Sequence, residues 1–193
     1  MKTMQDIFDS VCKWNAARYE REYNHELSIA LLREEHQEYF DSESLVEQLD
    51  ALADICYVAL GVLWKLNLEQ ETFDFNTMEA QKQVAKMLDT NTVYPIYFIG
   101  SVIDACHYDS DYPAALAMHK IVCLAMTQMS AMGLTPEEQL EALAAVCKSN
   151  DSKSIKKVAS DVKANDGDKG EFYVSPTVAL TKIIKGIEER YNA

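Results

Sequence analysis

The chain has 193 residues, 48% of them apolar, and its 31 Asp and Glu against 18 Lys and Arg leave a net charge of −13. This length supports one sizeable core. The acidic balance argues against a nucleic-acid backbone or an acidic membrane as the main partner, since both need a basic face, yet it leaves room for a phosphate ligand bridged by a divalent cation.

With only six Gly and four Pro, the chain suits helices. Apolar residues at Ile7, Val11, Trp14 and Ala17 or Arg18 predict a first helix over about 4–23. Leu27, Ala30 and Leu31 continue the period into a second, over about 25–41. After a short acidic turn, Ser44 to Asn67 reads as a long buried helix, apolar on nearly every side. Met78, Val84, Met87 and Leu88 mark an amphipathic helix over 74–91, and 92–107 is a further apolar segment. His107 to Asp111 reads as a loop. Asp111 with Pro113 then opens a helix that should stop at Gly133. Thr135-Pro136-Glu137-Glu138 caps the next, with acids suited to the helix dipole. From Ser149 the texture changes: 150–170 is charged, Asp166-Gly167-Asp168 is a turn signal, and Phe172-Tyr173-Val174 is expected to be a short extended piece. Ser175-Pro176 opens a last helix to about Arg190. The expected fold is all-α, one domain over 1–193, with a less regular stretch near 150–175.

The five cysteines form no C-x-x-C, and all but Cys147 lie in or beside apolar stretches. They are expected to be free thiols in a reducing compartment. The first residues do not read as a signal peptide. The longest apolar stretch, Val93–Ile103, is too short for a bilayer and contains Pro95. A soluble cytosolic protein is expected.

The chemistry is carried by acids at helical spacing. Glu34, Glu35 and Glu38 share one stripe of the second helix, and Glu47, Asp50 and Asp54 share one stripe of the third. Asp54 is flanked by Leu52, Ala53, Ile55 and Cys56, so its surroundings are apolar and its charge needs a partner. Few basic residues lie nearby in sequence. If the two helices pack antiparallel across the short turn, their acidic stripes meet. Clustered carboxylates without a matching cation suit Mg²⁺, or Mn²⁺. Taken alone, Glu34, Glu35 and Glu38 could equally be a solvated face.

Glu34-Glu35-x-x-Glu38, followed after a spacer by Asp54, resembles the E-E-x-x-E … E-x-x-D pattern of the all-α NTP pyrophosphohydrolases. That superfamily includes MazG, the dimeric dUTPases and phosphoribosyl-ATP pyrophosphohydrolase. This chain departs from the pattern at Ala51, where the second Glu would fall. Asp50, one turn before Asp54, looks like its substitute; a second register would use Glu47 with Asp50. Val146 to Lys153 is similar to the V-x-x-S-N-x-S-K segment of the MazG-like and phosphoribosyl-ATP pyrophosphohydrolase-like branch. Asp166 to Pro176 resembles the same branch's D-G-K … K-G-x-x-Y-x-x-P tail.

The resemblance implies an all-α bundle that hydrolyses a nucleoside triphosphate to the monophosphate and pyrophosphate. Glu35, Glu38, Asp50 and Asp54 would hold Mg²⁺. Glu34 would orient or deprotonate the attacking water. Asn150, Lys153 and Lys169 would meet phosphate oxygens, and Asn15 would contact the base or a metal-bound water. Tyr57 and Phe40 read as packing residues; Trp14 reads as core, with a ring face for the base as the alternative, and the four histidines have no zinc spacing. The resemblance further implies a homodimer or homotetramer, deoxynucleotides ahead of ribonucleotides, and a source among the many phages that encode such proteins. Phosphoribosyl-ATP is disfavoured as substrate, because the helices from about 70 to 133 exceed a minimal enzyme of that kind. Ala51 leaves open a paralogue that binds nucleotides without cleaving them. Two readings lie outside the family. A di-iron carboxylate bundle wants Glu-x-x-His on two helices; Glu22 to His25 fits once, and Asp104 to His107 loosely. An acidic helical protein could instead bind a basic partner.

Overall fold

Helix α3 (Leu45–Lys65) is the axis of the molecule, because its sequence leaves no polar side for solvent. From Leu49 to Trp64 nearly every residue is buried, and the exceptions include Asp50 and Asp54. Around it pack α1 (Met4–Arg18), α2 (His25–Asp41), α6 (Asp111–Ala131), α7 (Pro136–Asp151) and α8 (Thr177–Asn192). Helices α4 (Gln70–Asp89) and α5 (Pro95–Ala105) pack against α6, and α5 also touches α2. The computed structural model describes residues 3–67, 70–89, 94–106, 111–153 and 169–192. Among these there is no strand, and the fold is an all-α bundle.

Capping explains where four of the helices begin. Thr3, Ser44 and Thr135 each form a reciprocal capping box, with Asp6, Glu47 and Glu138 respectively. Asn24 caps α2 by accepting from the Leu27 amide. Helix α6 stops as expected before Gly133, whose φ of 94° lies in the left-handed region.

Three expectations change. The first helix ends at Arg18, not near residue 23. Residues 19–24 instead connect to α2, held by Arg21, whose Nε donates to the Trp64 carbonyl at the end of α3. That tertiary bond overrides helix-forming side chains. Phe172-Tyr173-Val174 is not a strand: Tyr173 N–H closes a turn on Gly170 O at 3.0 Å, and Val174 N–H donates to Ser152 Oγ. Cys147 is fully packed in the core despite its polar sequence neighbours, because it faces inward where α7 meets α1 and α3. All five cysteines are free thiols. The expected loop at 107–110 and the Asp166-Gly167-Asp168 turn lie outside the described residues.

Candidate active site

Helices α2 and α3 run antiparallel across a tight turn, and this sets the register of their acids. Glu38 stands by Asp50 at one opening, which Asp41, Ser42, Glu43, Glu47 and Ala51 also line. One turn back on α2 and one turn forward on α3, Glu35 and Asp54 share the wall of a second cavity, of about 170 Å³. Two adjacent carboxylate pairs thus run along the α2–α3 seam, as the two stripes require.

The cavity beside Glu35 and Asp54 gathers residues from four helices. Helix α1 gives Trp14 and Asn15; α2 gives Leu27, Ser28, Leu31 and Glu35. Helix α3 gives Asp54, Tyr57, Val58, Gly61, Val62 and Lys65, a continuous face at spacings of three and four. Asn150 from α7 and Lys153 just beyond it close the wall. Acids, amides, two lysines and aromatic rings therefore border one space, the mixture expected of a small-molecule site.

The polar groups are held in place. Asn15 is buried, and its Nδ2 donates to Val11 O at 2.9 Å. Gly61 makes room for it, since a Cβ there would lie 3.3 Å from Asn15 Nδ2. Asn150 is also buried, and its Oδ1 accepts from Lys153 Nζ at 2.7 Å. The Trp14 ring meets Tyr57 edge-on and Tyr19 at a tilt, both at 5.6 Å between centroids. Tyr57 OH is buried without a hydrogen-bond partner, and burial pushes its pKa well up.

Asp50 has a shifted pKa. Burial raises its pKa and the neighbouring Glu38 raises it further, while Lys153 and Lys169 pull the other way. Its Oδ1 is buried with no hydrogen-bond partner. A desolvated carboxylate beside a second one is an environment that a cation would relieve. Glu47 is differently engaged. Its Oε2 accepts from the amides of Glu43 and Ser44 and from Ser44 Oγ, each at 3.0 Å. Of the two residues between which the sequence leaves a choice, Glu47 thus has one oxygen engaged in the cap, and Asp50 has one oxygen without a partner. Ala51, only 3% exposed, lines the same opening.

The other sequence candidates are spread more widely. Glu34 is exposed and lines neither opening. Lys169 is exposed, with its Nζ 5.4 Å from the centre of the Tyr173 ring, and it faces the acids closely enough to act on Asp50. Trp14 and Tyr57, read as packing residues, both line the cavity, whereas Phe40 is 42% exposed. Arg18 and Ser28 carry no sequence signal; the helical stripe through Asp54 does point to Tyr57, Val58 and Gly61. Among the described residues, no three His, Cys, Asp or Glu converge closely enough to hold one ion. The carboxylates fit a divalent cation as pairs, by their chemistry and by the orphaned Asp50 oxygen. Glu22 precedes the Asn24 cap, so Glu22 and His25 are not one turn apart on a helix, and the di-iron spacing fails there. No described helix is long and apolar enough to cross a membrane.

No curated protein and no solved structure shows a significant match to the chain. The model of the phosphoribosyl-ATP pyrophosphohydrolase family matches residues 1–81, which span α1, α2 and α3 with all the carboxylates of the seam. Asn150, Lys153 and Lys169 lie beyond the match. Residues 1–81 are thus similar to the phosphoribosyl-ATP pyrophosphohydrolases, a family of the MazG-like all-α NTP pyrophosphohydrolase superfamily.

Proposed function

We propose that the protein hydrolyses a nucleoside triphosphate, a deoxynucleotide in preference, to the monophosphate and pyrophosphate with Mg²⁺ or Mn²⁺. The observation that carries this reading is the shared cavity. Glu35 and Asp54, from the segment that matches a pyrophosphohydrolase family, face Asn150 and Lys153 across one space.

Glu35, Glu38, Asp50 and Asp54 are the residues that would hold the cation. When bound, it would screen the polyphosphate and acidify a water. A triphosphate carries about four negative charges and would be repelled by bare carboxylates, so Lys153 and Lys169 matter for its approach. Lys153 supplies a point charge that Asn150 Oδ1 holds in place at 2.7 Å. Asn15 offers a fixed amide to the base, and the flanks of Trp14 and Tyr57 give it an apolar seat. Glu35, in the cavity wall, is better placed than the exposed Glu34 to take the proton from an attacking water. The displacement then depends on position and electrostatics rather than on covalent chemistry. We place the protein in the cytoplasm as a homodimer or homotetramer.

The test is pyrophosphate release from all eight (d)NTPs with Mg²⁺, with phosphoribosyl-ATP as a ninth substrate. Activity confined to one or two bases supports the reading and names the substrate. Activity on phosphoribosyl-ATP alone replaces the substrate assignment. Silence on every compound leaves the binding-only paralogue.

A further inference from the structure

We propose that Arg18 is a positioning residue, which with Trp14 pins the end of α7 so that Lys153 and Asn150 face the cavity. The proposal rests on the hydrolase reading above.

The last carbonyls of a helix have no partner within it. Here side chains from α1 capture one carbonyl in the last turn of α7, that of Asn150, and one just beyond its end, that of Lys153. Arg18 Nη2 donates to Lys153 O at 2.8 Å, and Trp14 Nε1 donates to Asn150 O at 2.8 Å. The guanidinium also lies 4.4 Å from the centre of the Trp14 ring, which ties the two donors together. Both captured carbonyls belong to residues whose side chains line the cavity. Those side chains are in turn bonded to each other, Lys153 Nζ to Asn150 Oδ1. Fixing the two backbones therefore fixes the Lys153 ammonium group, which shares the cavity wall with Glu35 and Asp54.

A simple helix cap does not account for Arg18. The residue is 4% exposed, and its Nε is buried with no hydrogen-bond partner. A buried guanidinium with an unmet donor is destabilising. Cheaper caps exist, and a solvated lysine would also suit the helix dipole. Arg18 does not line the cavity, so it acts on substrate only through α7. It also joins α1, inside the family match, to residues beyond it.

The experiment compares wild type, Arg18→Met, Arg18→Lys, Lys153→Ala and the Arg18→Met/Lys153→Ala double variant of the full chain. The readouts are kcat, KM for the preferred triphosphate, and amide exchange at residues 150–153. Arg18→Met should speed exchange there and raise KM about tenfold, the scale of one charge-assisted hydrogen bond. It should leave kcat within about twofold. It should add nothing further in the Lys153→Ala background. Arg18→Lys should recover part of the loss. Additive effects would mean that Arg18 acts by long-range charge and would overturn the proposal. Unchanged exchange or unchanged KM would overturn it too. If Arg18→Met fails to fold, Trp14→Phe keeps the ring without the donor and is judged by the same two readouts. A wild type that cleaves no triphosphate sinks the hydrolase reading itself, visibly before any variant is made, and takes the substrate role of Arg18 with it.

Discussion

Glu47 gives its carboxylate to Ser44. Its Oε2 accepts from both the amide and the hydroxyl of that residue at 3.0 Å, and so closes the first turn of α3. An acid engaged in this way is not poised to bind a cation. Glu47→Gln should therefore lower stability by about 0.5–1 kcal/mol, as a weakened cap does, and leave turnover close to wild type. Thermal unfolding with a pyrophosphate assay checks both. Loss of turnover without loss of stability would return Glu47 to the metal site.

Asp50 should behave in the opposite way. Burial and Glu38 raise its pKa in the folded protein above the unfolded value near 3.8. The folded state then holds the proton more tightly. The stability this provides is complete below that value and is lost as pH rises through the raised pKa. At neutral pH, without metal, ionised Asp50 thus weakens the fold. Asp50→Asn should raise the Tm of the metal-free protein by roughly 2–4 °C while abolishing turnover. An unchanged or lower Tm in EDTA would contradict this account.

The same carboxylate should set the acid limit of metal binding. Mg²⁺ needs ionised Asp50, so affinity should begin to fall at a higher pH than for an ordinary carboxylate. Lys153 and Lys169 hold the pKa down. Lys153→Ala should therefore move that limit to higher pH, as seen by Mg²⁺ titration across a pH series. A shift to lower pH would show that the lysine does not act on this group.

Glu35→Gln, Glu38→Gln and Asp54→Asn should each reduce kcat/KM on the order of 100-fold or more with little change in helical content. The reading as an acidic binding protein expects no such loss. Full turnover in Glu38→Gln would show that the opening it shares with Asp50 is no part of the site, and full turnover in Glu35→Gln or Asp54→Asn would remove the cavity those two residues line.

His119 predicts a separate pH effect on stability alone. It is 3% exposed on α6, and burial lowers its pKa from 6.5 to about 4. The unfolded chain takes up a proton first as pH falls. Its stabilising contribution is thus full above about 6.5 and is lost on the way down to about 4. The loss should be about 3 kcal/mol. Denaturant unfolding between these limits should show a shallower slope for His119→Gln than for wild type; equal slopes would locate the effect elsewhere.

Local periodicity made the helices and the acidic seam legible. A spacing of three or four fixes which residues share a face, so Glu35 with Glu38 and Asp50 with Asp54 could be read before any fold was known. The cap at Thr135 and the stop at Gly133 were equally local, since each concerns backbone groups within a turn of the residue that meets them. Spacing could not say which faces meet. Glu47 and Asp50 lie on one stripe, and only the closure of the first turn showed that one was already engaged. Trp14 and Tyr57 looked like core because an apolar side chain has the same pattern whether it meets another helix or borders a cavity. The bond from Trp14 to Asn150 spans 136 residues, and that from Arg18 to Lys153 is similar in reach. Such pairings arise from the packing of α1 on α7 around α3, a property of the assembled core on which no single stretch of chain carries information.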